Sequence, residues 1–373
     1  MFDKSSIALF NFFVVFVYGV SAVLALPSFE FSLFLLYLLY LFFSTFILIN
    51  LPSFSPIKPF VSSSNWLNIF FELFFLIPFL IAFLCFVLSK VLPLDLWLAP
   101  GVIKYSAYEN RSGIMFAFVQ VYGLVFSALF KSRFNIVLFN FLGFVVVLLV
   151  LGRNPALIYG LTIVHFFFRG KFQLVVVLFL GLVFATLVNS ARAVGFGLED
   201  VIDHLSRHGY LNYIINSSEL NLGARTFLAV QGTVLDRTID GVQAWYPLTP
   251  FFSLQPLSLF FDDSFLQGFA RHVADVYPTT GGMPIFIEGY YLYFGVFGGI
   301  VHGSFYILLV YFIHLLFRRY LPSYVLSINF LYVLINMVRI DSVTSINFTV
   351  NHLVVCLFIF FIFRALNLDY SKT

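Results

Sequence analysis

Apolar runs of about 20 residues recur along most of this chain, and they limit its possible folds more than any other feature. A helix of about 20 residues crosses a hydrocarbon core of roughly 30 Å. Hydrophobic residues make up 61% of the 373 residues and charged residues only 10%, a composition that excludes a soluble globular protein. The sequence lacks the short alternating segments of an outer-membrane barrel. It therefore predicts an all-α fold, a polytopic membrane helical bundle.

We place about ten transmembrane helices on the chain. They lie near residues 5–26, 29–50, 66–89, 113–130, 134–151, 155–168, 172–189, 286–316, 321–338 and 344–363. The run that begins near residue 286 is long, so it either forms one span or includes a periplasmic lead-in helix. The predicted organisation is about seven spans in residues 1–189, a large loop with short helices in 190–284, and about three spans in 285–373.

The short connections between these spans carry basic residues on one side of the membrane. They are Lys4, Lys58, Lys131, Arg133, Arg169, Lys171, Arg318, Arg319, Arg364 and Lys372. The positive-inside rule makes that side cytoplasmic. We therefore predict that both termini are cytoplasmic and that the one large loop is extracytoplasmic.

The polar interval between Val188 and Met283 interrupts the apolar pattern. It holds nine carboxylates, no lysine and five arginines, namely Arg192, Arg207, Arg225, Arg237 and Arg271. Guanidinium groups bind phosphate-like anions through two hydrogen bonds and keep their charge, so the interval predicts an anion site. Pairing with the interval's own carboxylates is the alternative for any single arginine.

Arg153 lies in a tight connection, Gly152–Arg153–Asn154–Pro155, between two spans at the predicted outer face. Pro155 suits the first turn of a helix, which makes the geometry of this connection reproducible. The arginine either reaches the lipid headgroups or points inward to a lipid pyrophosphate. We predict the second.

Leu198 to His208 is predicted to form an amphipathic helix that ends at Gly209. Its polar face carries His204 and Arg207 with two aspartates, which offers an acid, a base and an anion-binding group. His204 and His208 have a spacing that suits zinc, but no third ligand follows at a useful spacing, so we predict no metal site. A solvated helix face is the alternative interpretation.

Glu288 stands at the outer end of a long apolar run, close to Tyr290 and Tyr291. A carboxylate there is unfavourable unless it is paired or faces a polar cavity. Tyrosines can stack on sugars, although an interfacial aromatic belt has the same composition. Gly298 and Gly299, which follow, predict a close approach to a neighbouring helix.

Three of these features together resemble the oligosaccharide repeat unit polymerases, the O-antigen polymerase (Wzy) family. They are the Gly152–Arg153 connection, the long outer loop, and the pattern from Glu288 to Gly295 that leads into the next span. The resemblance concerns mainly the latter two-thirds of the chain. It implies a multi-pass glycosyltransferase of the bacterial inner membrane, which polymerises undecaprenyl-pyrophosphate-linked oligosaccharide repeat units into O-antigen or a related surface polysaccharide at the periplasmic face.

The resemblance also implies partners and residue roles. The expected partners are the lipid-linked oligosaccharide, membrane lipid and a chain-length regulator protein, with no cofactor. The small net charge of +3 argues against a nucleic-acid partner. Arginines would stabilise the pyrophosphates; the candidates are Arg153, Arg192, Arg207, Arg225, Arg271 and Arg339. A base would take the acceptor's proton; the candidates are Glu288, His204 and His272. The candidates for sugar contact are Tyr290, Tyr291 and Trp245.

Three alternative functions remain open from the sequence. An O-antigen ligase uses the same donor but transfers the finished polymer to the lipid A core. A polysaccharide flippase or other transporter belongs to a different class and would account for the spans, but not for the arginine-rich loop. A membrane acyltransferase acting on surface sugars is the third.

Overall fold

The computed structural model describes residues 4–26, 30–54, 113–130, 132–150, 153–167, 198–209, 224, 226–228, 248–252, 254, 283–293 and 295–366. Every regular element within these ranges is helical. The helices are α1 (Lys4–Leu24), α2 (Phe31–Asn50), α3 (Gly113–Phe126), α4 (Arg133–Val150), α5 (Arg153–Phe167), α6 (Leu198–His208), α7 (Thr249–Phe252), α8 (Ile285–Leu292), α9 (Val296–Phe317), α10 (Ser323–Met337) and α11 (Ser342–Ala365). A short 3₁₀ turn, Ser127–Leu129, follows α3.

Four helices in the described part of the chain, α1, α2, α9 and α11, are long and apolar enough to cross a membrane. Shorter apolar helices accompany them in the segments of α3, α4, α5 and α10. The prediction of an all-α fold is therefore confirmed for the described residues, and four of its helices have the length and composition of membrane spans. The total of about ten spans, the orientation of the ends and the division at residues 189 and 284 stay predictions. The spans predicted at 66–89 and 172–189 lie outside the described residues.

The single span predicted for residues 286–316 is wrong, because the structure divides this segment into α8 and α9. Gly295 separates them with a φ of 104°, a left-handed conformation that glycine adopts without the steric penalty of a Cβ atom. The Gly295 N–H donates to the Tyr290 carbonyl at 2.7 Å, which closes the end of α8. A separate helix therefore precedes the span, as in the alternative prediction of a lead-in helix.

Helices α8 and α9 form an antiparallel hairpin in which glycines bring the two backbones together. A Cβ atom on Gly299 would lie 2.4 Å from the carbonyl oxygen of Phe286, and one on Gly289 would lie 2.3 Å from Cβ of His302. These positions have no space for a side chain. The close approach predicted from Gly298 and Gly299 is confirmed.

The hairpin packs against α2, whose Tyr40 ring stacks on Phe286 with the ring centroids 4.4 Å apart. Helices α1 and α2 are themselves joined by a buried hydrogen bond from Asn11 Nδ2 to Ser44 Oγ at 2.9 Å. Helix α10 is buried on all sides from Tyr324 to Met337, including its polar residues Asn329 and Asn336. It contacts α1, α5, α9 and α11, so it lies at the centre of the described bundle.

Candidate functional site

Glu288 is the carboxylate on which the candidate site is built. It lies in the first turn of α8 and is only 1% exposed. The Ser342 backbone N–H donates to Oε2 at 2.9 Å, and the Ser342 hydroxyl donates to Oε1 at 3.0 Å. Ser342 is the first residue of α11, so the carboxylate meets a helix N-terminus, where unpaired N–H groups and the helix dipole stabilise negative charge. These contacts explain how a carboxylate is accommodated inside the bundle.

His302 lies beside this carboxylate and was not among the predicted site residues. Its Nε2 atom is 3.6 Å from Glu288 Oε2 and is buried without a hydrogen-bond partner among the described residues. Its ring packs between Tyr293 and Tyr306, with centroids 5.4 and 4.8 Å away. The sequence does carry a signal for His302, because a histidine inside an apolar span usually faces the interior of the bundle. It also lies one turn after Gly298 and Gly299.

Asp341 caps the N-terminus of α11 next to Ser342. Its Oδ1 accepts from the Thr344 N–H at 2.8 Å and its Oδ2 accepts from the Thr344 hydroxyl at 3.0 Å. Burial raises the pKa of Asp341 to about 6, the neighbouring charge of Glu288 acts in the same direction, and the bonds from Thr344 oppose the rise. We refer to Glu288, His302, Tyr306, Asp341 and Ser342 as the Glu288 cluster; Tyr306 belongs to it through the contact of its ring with that of His302.

The order of contacts in the Glu288 cluster limits its chemistry. In a nucleophilic triad the serine hydroxyl bonds to the histidine, and the carboxylate orients the histidine from its other side. Here Ser342 bonds to the carboxylate instead, so its hydroxyl is not placed as an activated nucleophile. The carboxylate and His302 can instead hold a proton between them and accept one from a bound hydroxyl group.

Two of the predicted arginines can be compared with this cluster. Arg339 lies in the connection between α10 and α11, three residues before Ser342, and its side chain is partly buried. Arg207 is exposed on α6, where its Nε atom donates to Asp203 Oδ2 at 3.1 Å one turn earlier. This pairing favours the solvated face that was the alternative for α6. His204, on the same helix, is partly exposed.

Arg153 is the first residue of α5, and its side chain is not described. Five further predicted site residues lie outside the described residues, namely Arg192, Arg225, Trp245, Arg271 and His272. Their roles stay predictions.

A described piece of the polar interval packs against α8 close to Glu288. Phe227 is buried, and its ring centroid lies 5.5 Å from that of Tyr290 and 5.9 Å from that of Tyr291. The Tyr291 hydroxyl donates to the Phe227 carbonyl at 2.9 Å, so this hydroxyl already holds two segments together. Of the two predicted sugar contacts on α8, Tyr290 is therefore the better candidate.

No family model matches this chain, and no curated protein or solved structure matches it. Among the described residues, no group of three or more His, Cys, Asp or Glu side chains is arranged to hold a metal ion.

Proposed function

We propose that this protein is a membrane glycosyltransferase that polymerises undecaprenyl-pyrophosphate-linked oligosaccharide repeat units at the extracytoplasmic face of the bacterial inner membrane. One observation carries the proposal: the Glu288 carboxylate is buried, fixed through both oxygens by Ser342, and next to a histidine that has a ring nitrogen available. A buried carboxylate–histidine pair of this kind suits proton abstraction from a sugar hydroxyl.

The location of this pair supports the same reaction. The Glu288 cluster lies where α9 and α11 begin, and the proposed topology puts these two helix ends at the extracytoplasmic face. The polar interval reaches the same place, because Phe227 packs on the tyrosines of α8. Arginines of the interval, with Arg153 and Arg339, would then meet the pyrophosphate of a lipid-linked donor beside the base.

In the proposed reaction, a hydroxyl of the incoming lipid-linked repeat attacks the anomeric carbon of the growing chain. The bond from that carbon to the pyrophosphate oxygen breaks, and the arginines stabilise the lipid pyrophosphate that leaves. The pair of Glu288 and His302 takes the hydroxyl proton. The donor already carries its leaving group, so the step needs no nucleotide.

The test is an assay of the purified full chain with one defined undecaprenyl-pyrophosphate-linked repeat unit, followed by a gel for a ladder of products. We expect a ladder from the parent protein. Glu288→Gln and His302→Asn should each reduce the rate by about 100-fold or more, the usual contribution of a general base. Asn11→Leu removes a buried hydrogen bond between α1 and α2 and should leave the ladder intact. A missing ladder from the parent, or an unchanged rate in Glu288→Gln, would contradict the proposal.

An O-antigen ligase is distinguished by the same assay. A ligase gives no ladder from the repeat unit alone and forms product only when lipid A core is added as acceptor. In cells, loss of a polymerase leaves lipopolysaccharide with a single repeat, whereas loss of a ligase leaves bare core and accumulated lipid-linked polymer. Movement of the substrate across reconstituted vesicles without new glycosidic bonds would instead support a flippase.

A further inference from the structure

The carboxylate–histidine pair of the proposed reaction is closed off from solution in this structure. Glu288 is 1% exposed and His302 is 4% exposed. A sugar hydroxyl that gives its proton to this pair must first reach it, so a part of the protein that covers the pair has to move. The side chains that pack on His302 are the first place to look for that part.

Two tyrosine rings pack on the imidazole of His302, and they lie at different depths. Tyr306 is one turn further along α9, with its ring centroid 4.8 Å from that of the imidazole. Tyr293 precedes the start of α9, and its ring centroid is 5.4 Å away. Tyr306 is 1% exposed, whereas Tyr293 is 45% exposed. Of the two rings only that of Tyr293 borders solution, so a substrate that approaches from the turn between α8 and α9 meets this ring first.

Tyr293 is also influenced by the other member of the pair. Burial raises the pKa of Tyr293, and the negative charge of Glu288 acts in the same direction. The side chain thus packs on the imidazole of His302 and lies within the field of the Glu288 carboxylate. This arrangement is expected for a ring that covers both groups.

The backbone of Tyr293 is held in place, so the ring is the part that can move. The Tyr293 N–H donates to the Gly289 carbonyl at 3.0 Å. A Cβ atom on Gly298 would lie 2.6 Å from Cβ of Tyr293, so the start of the Tyr293 side chain is tightly packed against α9. The ring beyond Cβ borders solution and can turn about χ1, a motion that exposed side chains make rapidly.

We propose that Tyr293 is the gate of the Glu288 cluster: its ring covers Glu288 and His302 in this structure and turns away to admit the acceptor sugar. The displaced ring stays at the rim of the opened site, where a tyrosine can stack on a sugar and hydrogen-bond to its hydroxyls. The identity of the sugar rests on the proposed function, whereas the opening itself is measurable without any turnover. Tyr293 becomes a further contact of the acceptor, beside the pair that takes its proton.

The test is the reactivity of His302 towards diethyl pyrocarbonate, which acylates accessible neutral imidazoles and is too large to follow a path that admits only water. The full chain is reconstituted in lipid vesicles, treated for increasing times and digested, and mass spectrometry gives a rate for each histidine. Tyr293→Ala removes the ring and should raise the rate at His302 by roughly threefold to tenfold, the factor that one aromatic ring contact contributes to an equilibrium. Tyr293→Phe keeps the ring and should react as slowly as the parent.

Phe297→Ala is the matched control, because Phe297 is an aromatic residue at the same end of α9 and is 80% exposed. It lies five residues before His302 and therefore on a different face of the helix, so its removal should leave the rate at His302 unchanged. His314 is fully buried and should stay unreactive in every folded variant, which verifies the fold. Tyr293→Leu serves if Tyr293→Ala does not fold.

The ladder assay of the same variants separates this proposal from the proposed function. Tyr293→Ala retains the base pair and should still form a ladder, with a KM for the lipid-linked repeat raised by roughly threefold to tenfold because the stacking surface is lost. An unchanged rate at His302 in folded Tyr293→Ala, or an equal increase in Phe297→Ala, would overturn the gate even if the parent forms a ladder. Faster modification in Tyr293→Ala alone, with no ladder from the parent, would support the gate and refute the polymerase.

Discussion

The contact between Glu288 and Ser342 predicts a measurable coupling between the two side chains. The Ser342 hydroxyl and backbone N–H donate to separate oxygens of a carboxylate that is almost fully buried. A hydrogen bond to a charged group contributes about 1.5–3 kcal/mol, and a neutral one about 0.5–1.5 kcal/mol. Ser342→Ala removes the hydroxyl and keeps the backbone donor, so it should lower the free energy of unfolding by about 1.5–3 kcal/mol.

Glu288→Gln retains the size of the side chain and a carbonyl acceptor but removes the charge. In that background the amide oxygen accepts from the Ser342 backbone N–H, and the amide NH₂ group donates to the Ser342 hydroxyl oxygen. This bond is neutral, so Ser342→Ala should lower the free energy of unfolding by only about 0.5–1.5 kcal/mol. The expected coupling is therefore about 1 kcal/mol or somewhat more. Equilibrium unfolding of the four proteins in mixed micelles, with a rising fraction of denaturing detergent, measures it directly.

Ser345 provides the control for this double-mutant cycle of Glu288 and Ser342. It lies one turn further along α11, and its hydroxyl has no bond to Glu288 among the described contacts. Ser345→Ala and Glu288→Gln should combine additively, within about 0.5 kcal/mol. If Ser342→Ala is equally additive with Glu288→Gln, the charge of the carboxylate is not stabilised through Ser342, and the basis of the candidate site is lost.

Other predictions concern Asp341 and the glycines of the bundle. Asp341→Asn keeps a side chain that can cap α11 but removes the titrating carboxyl group. In the parent, the folded pKa of Asp341 is raised from 3.8 to about 6, so the folded state binds the proton more tightly than the unfolded state. The free energy of unfolding should therefore fall as the pH rises from about 4 to about 6, and it should fall less in the variant. Melting temperatures at both ends of the interval measure this difference. Gly299→Ala places a Cβ 2.4 Å from the Phe286 carbonyl and should lower the free energy of unfolding by about 1–3 kcal/mol. Gly160→Ala, where the nearest atom is 3.5 Å away, should leave the free energy of unfolding unchanged or raise it by up to about 1 kcal/mol.

The long helices could be predicted from the sequence because an apolar run is a local property. Spans predicted at 5–26, 29–50 and 344–363 correspond to α1, α2 and α11 within a few residues at either end. The division between α8 and α9 could not be predicted in the same way, because apolar residues continue on both sides. It depends on the left-handed conformation of Gly295 and on the close packing of the two helices.

The candidate site could be predicted only in part. Glu288 could be recognised from the sequence because it is a carboxylate in an apolar run. Its partners Ser342 and His302 could not, because they are 54 and 14 residues away in the chain and only the tertiary packing brings them to Glu288. The pairing of Arg207 with Asp203 was available from their spacing, since residues four apart meet on a helix surface.

Helix α11 connects the Glu288 cluster with a second set of buried hydrogen bonds, which lies around His352. At its N-terminus Ser342 bonds to Glu288, and ten residues later His352 bonds to Asn329 and Gln120. The position of α11 along its axis is thus fixed at two levels, and a slide of one turn, about 5.4 Å, would break both sets of bonds. A movement of α11 must therefore affect the Glu288 cluster and His352 together.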